Sequence, residues 1–112
     1  MPVVKLMTAG LPIALGAVMI GAGGVNFAGP ASIRKSFADW GYPAGFHRVT
    51  GGLEVAAGLL LLIPMTSRVG AIGSAIILLA AVATVIRHRD WGHLPGAVVL
   101  TAVAAAAIAI HP

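Results

Sequence analysis

Glu54 stands inside the apolar run Val49 to Ile63, Val-Thr-Gly-Gly-Leu-Glu-Val-Ala-Ala-Gly-Leu-Leu-Leu-Leu-Ile. If that run crosses a bilayer, its carboxyl lies near the midplane, where a charged side chain costs roughly 2.5–3.5 kcal/mol. On a helix, His47, Gly51, Glu54 and Gly58 recur at spacings of four, three and four, so they share one face. Glycines on that face leave room for another helix, for water or for a ligand. Three roles for the carboxyl are open. It can join helices through a hydrogen bond to Asn26, Thr50 or Thr84. It can act as a general acid or base in an apolar pocket. It can recognise a cationic or hydroxyl-bearing ligand, or a partner subunit. At about 1.5 Å of rise per residue, Glu54 lies ~10 Å deeper than His47. Asn26, Arg87, His88, Arg89, Asp90 and His93 all fall toward the His47 end of the helices that follow from the chain's hydropathy.

The elements that must position these groups are helices in a membrane. The chain has 112 residues, 59% of them hydrophobic and only 9% charged, too little polar surface to cover a soluble globule. Four apolar spans are expected, at about 8–27, 44–63, 68–87 and 94–110, each near the ~20 residues a bilayer requires. Pro12 falls in the first span, either as a first-turn residue of a helix starting near Leu11 or as a mild kink in a longer one. Pro43 and Pro64 bound the second span, and Pro95 opens the fourth. A cleaved leader is the competing reading of the first span, disfavoured because Lys5 is its only basic residue. Between the first two spans, Ile33, Phe37 and Trp40 recur at four and three, interleaved with Arg34, Lys35 and Asp39. That is the pattern of a short amphipathic helix, lying in the interface or packed on the mouth of the bundle. The expected fold is therefore all-α, an integral membrane four-helix bundle of one domain with a short interfacial helix between helices 1 and 2. Trp40 and Tyr42 fall at the membrane boundary, where amphipathic aromatics are favoured.

Basic residues set the orientation. The side holding the first and third loops carries Arg34, Lys35, Arg48, Arg87 and Arg89, and the side of the termini carries Lys5 and Arg68. The excess places both termini outside the cytoplasm. The pairs Ala17 and Gly21, Gly52 and Ala56, and Gly70 and Ser74 are four apart, which clears strips for close helix approach within the bundle or in a homodimer.

Other chemistries are poorly supported. There is no cysteine, which excludes thiol redox chemistry and thiolate metal sites. The net charge of +4 is scattered and not interleaved with aromatics, so no nucleic-acid partner is expected. His47, His88, His93 and His111 form no helical i, i+4 pair and no flanking carboxylate set, so no metal and no cofactor is expected. Gly21, Gly23 and Gly24 lack the strand and helix start of a phosphate loop, and no serine sits in Gly-x-Ser-x-Gly.

Three stretches carry a resemblance. Gly-Gly-Val-Asn-Phe-Ala-Gly-Pro at 23–30, Phe-Ala-Asp-Trp-Gly-Tyr-Pro at 37–43 and Gly-Gly-Leu-Glu-Val-Ala-Ala-Gly-Leu-Leu-Leu-Leu-Ile-Pro at 51–64 resemble the DoxX-like family of small four-helix membrane proteins. In that family a polar residue closes the first helix, a Gly-Tyr-Pro segment follows, and a glutamate stands in the second helix. Two positions depart from it. Relatives often carry Lys where this chain has Asn26, and a His-Leu-Arg-like end to the third helix where it has Val85, Ile86 and Arg87. The family takes its name from a subunit of a quinone-reducing oxidoreductase, so the resemblance implies a bacterial cytoplasmic membrane and a lipophilic ligand such as a quinone. The expected site is Glu54 with Asn26, His47 and Arg87 as auxiliary catalytic donors. Phe37, Trp40, Tyr42, Gly51 and Gly58 are the expected ligand contacts. The enzymatic form of this reading is an isomerase or an epoxide-opening hydrolase or cyclase. The alternatives are a subunit of a quinone-linked oxidoreductase, or a non-enzymatic membrane subunit or chaperone.

Overall fold

The computed structural model describes residues 2–110, with side chains from residue 10 onward. His111 and the side chain of Lys5 lie outside the described residues. Five helices follow in order: α1 Pro2–Ala28, α2 Ala31–Asp39, α3 Phe46–Leu62, α4 Ser67–Arg87 and α5 Leu94–Ala109. Among the described residues there is no strand. Two segments, Gly10–Ala28 and Ser67–Arg87, are long and apolar enough to cross a membrane, whereas α3 and α5 have 17 and 16 residues.

Local chemistry sets the helix ends. α1 runs unbroken through Pro12 rather than beginning at Leu11. α3 stops because Ile63 precedes Pro64 and is held extended, with φ −100° and ψ 118°. α2 closes on a left-handed Gly41 at φ 84°, with Tyr42 N–H bonded back to Phe37 O at 3.0 Å, a Schellman turn that re-aims the chain sharply. α4 closes in the same way, with Asp90 N–H bonded to Val85 O at 2.9 Å, but a non-glycine, Arg89, occupies the left-handed position at φ 53°. These two turns project Tyr42 and Asp90 toward each other's elements.

α1 and α3 run antiparallel in the most extensive contact of the molecule, α3 packs next on α4, and α4 on α5. The α1–α3 seam is backbone against backbone. A Cβ added at Gly51 would lie 2.5 Å from Gly23 O, and one at Gly58 would lie 2.8 Å from Gly16 O. Both helices thus place glycines seven residues apart, so the contact repeats every two turns. This differs from the expected four-apart strips. Ala17, Gly21, Gly52 and Ala56 are exposed, and only Gly70 and Ser74 are buried. The core is made of Leu15, Met19, Ala57, Leu61, Ala71, Leu78, Ala104 and Ala107. It lies along α1, α3, α4 and α5, on the Pro64 side of Glu54.

Candidate functional site

α3 and α4 stay close near the turn that joins them, where a Cβ at Gly70 would meet Leu61 N at 2.7 Å. Toward their other ends they line a cavity of about 440 Å³. One wall is α3 through Phe46, Thr50, Leu53 and Glu54, and the facing wall is the α4 stretch from Ile76 to Val85. α2 covers it with Ile33, Ser36, Phe37 and Trp40; Asn26, Tyr42 and His93 complete the rim. The walls are overwhelmingly apolar, with only a few polar atoms among them.

Glu54 is buried at 7% exposure. Of the three partners expected for it, the structure supplies Asn26, whose Nδ2 donates to Glu54 Oε1 at 2.5 Å. α1 brings Asn26 to this point because Gly23, one turn earlier, lets the two backbones touch beside the carboxyl. A neutral amide therefore stands where the resemblance leads one to expect a lysine. Oε1 accepts that bond, and Oε2 accepts none among the described residues.

At the rim, Tyr42 Oη lies 2.6 Å from Thr84 Oγ1, which ties the segment after α2 to α4. Trp40 Nε1 donates to Asp90 Oδ2 at 3.2 Å, and His93 Nδ1 lies 2.8 Å from the same oxygen. The hydrogen bond from His93 holds the Asp90 carboxyl below the usual aspartate range, and the one from Trp40 adds to it. Beneath α2, Phe37 packs on Trp40, Tyr42 and Phe46 with ring centroids 5.3, 5.8 and 6.3 Å away, and Tyr42 stacks flat on Phe46 at 4.6 Å.

The structure thus gathers Glu54, Asn26, Phe37, Trp40 and Tyr42 around one space and separates the other residues expected to join them. Gly51 and Gly58 are sealed against α1, where their missing side chains make the helix contact and leave no ligand space. His47 is buried with its ring against Gly29, at the position a Cβ there would fill, and edge-on to Phe37 at 6.4 Å. Arg87 is exposed and outside the cavity lining. It is the last residue of α4 and shares the His47 end of the molecule but not the inner face. Sequence reasoning missed the Trp40, Asp90 and His93 cluster. The i, i+3 spacing of Asp90 and His93 beyond a helix end was the available signal, and a search for paired histidines passes over it.

The DoxX-like family matches residues 11–107, from the first helix through nearly all of α5. The chain belongs to the DoxX-like family. Among curated proteins and among solved structures nothing matches it. The match spans every residue that lines the cavity, so all of the lining belongs to the DoxX-like part of the chain. Among the described residues no group of three or more His, Asp or Glu is placed to hold a metal ion.

Proposed function

We propose that this DoxX-like protein is an integral membrane four-helix bundle that takes a small lipophilic molecule into the space between α2, α3 and α4, where Glu54 hydrogen-bonds or acts on its polar group. The observation that carries this reading is the apolar cavity of about 440 Å³ with the Asn26–Glu54 pair on its wall. Its volume falls in the range of small-molecule sites, and a few polar atoms in apolar walls are what such sites use for orientation. Asn26 fixes one carboxyl oxygen and leaves the other to meet the ligand. If the protein is an enzyme, a single carboxyl suits acid–base chemistry on an uncharged substrate, such as isomerisation or epoxide opening. A quinone is a further ligand class of the right character. The orientation remains that of the charge asymmetry, with α2 and the α4–α5 loop on the cytoplasmic side of a bacterial cytoplasmic membrane.

Mass spectrometry of the lipid extract from purified protein tests the reading. A stoichiometric small molecule is expected, and it is expected to be depleted from Glu54→Gln while expression and melting temperature stay near wild type. Glu54→Gln protein that still carries the full complement, or that retains turnover of an identified substrate, sinks the role of the carboxyl.

A second reading, a non-enzymatic membrane subunit, draws on the outer face of α1. There Gly10, Ala14, Ala17, Gly21, Gly24 and Ala28 are all exposed and all small, a surface on which a partner helix can lie close. It is favoured if crosslinking recovers a partner that depends on this face and the lipid extract holds no stoichiometric small molecule.

A further inference from the structure

The polar atoms at the rim of the cavity are partly spent on one another, and what remains is one-sided. His93 lines the cavity, and its Nδ1 lies 2.8 Å from Asp90 Oδ2. Asp90 is held ionised by that contact, and a carboxylate only accepts, so Nδ1 carries the proton. In the neutral ring Nε2 is then an acceptor, and it makes no hydrogen bond among the described residues. Thr84 Oγ1 donates its one proton to Ala80 O at 2.9 Å. In its 2.6 Å contact with Tyr42 the tyrosine hydroxyl is therefore the donor, which leaves the tyrosine oxygen with an open lone pair. Trp40 N–H is spent on Asp90. The donors of Trp40, Tyr42 and Thr84 are thus consumed inside the protein, while acceptors remain on Tyr42 and His93. The hydroxyls of Ser36 and Thr50 on the walls serve either way.

We propose that this rim is a second polar station of the cavity, where His93, held by Asp90, and Tyr42 accept a hydrogen bond from the hydroxyl of an otherwise apolar ligand, an alcohol or a phenol. The inference rests on the ligand-pocket reading above and adds to it the polarity of the ligand: the ligand brings the donor. At Tyr42 and His93 a ketone or an ether of the same size sets lone pair against lone pair. Asp90 is a positioning residue, since it fixes the tautomer of His93 and holds the ring beside Trp40, 5.7 Å away and edge-on.

The test uses the full chain in lipid nanodiscs and two probes of nearly equal shape, 4-tert-butylphenol and its methyl ether, 4-tert-butylanisole, with binding above that of empty nanodiscs read by calorimetry. Wild type is expected to bind the phenol about fivefold more tightly, the net effect of one hydrogen bond at a partly exposed rim. His93→Leu combined with Tyr42→Phe should erase the preference between the two probes, and its melting temperature reports whether the variant is folded. His93→Gln, whose side-chain oxygen can stand in for Nε2, should keep most of the preference. Equal affinity for the two probes in wild type overturns the hydroxyl assignment and leaves the pocket standing; so does a preference that survives the double substitution. No saturable binding of either probe overturns the pocket itself and this inference with it. The wild-type comparison decides the matter even where a variant fails to fold.

Discussion

The two flanks of α3 solve opposite problems with neighbouring residues. Toward α1, Gly51 and Gly58 are buried against the backbone of Gly23 and Gly16, so no side chain intervenes. Toward α4, Thr50 and Leu53 face an open cavity. Glu54 lies where the two flanks meet, its carboxyl joined to Asn26 on one and exposed to the cavity on the other. A seam this tight leaves no freedom to the residue beside it, and a cavity needs such a residue to hold its polar atom still. The rigid flank therefore positions the polar atoms that face the open one.

The largest effect expected comes from breaking the seam. Gly51→Ala places a Cβ 2.5 Å from both Gly23 O and Phe27 N, and since backbone cannot move aside as a side chain can, it should cost about 3 kcal/mol or more. Gly52→Ala, one residue along, meets nothing within 4 Å and should be neutral or slightly stabilising. Thermal unfolding of the two variants in detergent checks this, and similar melting temperatures would remove the contrast between the flanks.

Filling the cavity should separate binding from stability. Ala81 lines it on the α4 wall, and Ala81→Phe should reduce the recovered small molecule at least tenfold in the lipid extract with little change in melting temperature. A marked loss of stability would show that the space is needed empty for packing, as the seam is.

The rim contacts are worth less. Tyr42→Phe and Thr84→Val should each cost about 1 kcal/mol, and the double substitution should cost little more than either alone, because both remove the same hydrogen bond. Additive effects in unfolding experiments would show that the contact contributes nothing.

Smallest is the response to acid. The Asp90 carboxyl titrates below its ordinary value, so its contribution is present above about pH 3.9 and fades as pH falls through the lower value of the folded state. Trp40 fluorescence in a Trp91→Phe background should be flat from neutral pH down to that range and change only below it. A transition well above that range would show that Asp90 is not the group that Trp40 senses.

Much of this was legible in the residues. The spacing of Ile33, Phe37 and Trp40 announced α2, Pro64 announced the end of α3, and the four-three-four recurrence of His47, Gly51, Glu54 and Gly58 put them on one buried face, as the structure has them. What that face meets was not legible, because periodicity says which side chains point together and nothing about the neighbour opposite. So the glycines that left room for a helix, for water or for a ligand met a helix, and Ala17, Gly21, Gly52 and Ala56, whose spacing of four is as good as any, turned outward.

By itself the sequence determined an apolar, all-helical DoxX-like chain with a carboxylate in its second long helix, because composition and hydropathy period are local properties. The tertiary structure alone decided that Asn26 is that carboxylate's partner, that His47 and Arg87 stand apart from it, and that Tyr42, Thr84, Asp90 and His93 form the rim. Those pairs lie up to 50 residues apart, and only the packing of α1 on α3 and the left-handed turns at Gly41 and Arg89 bring them together.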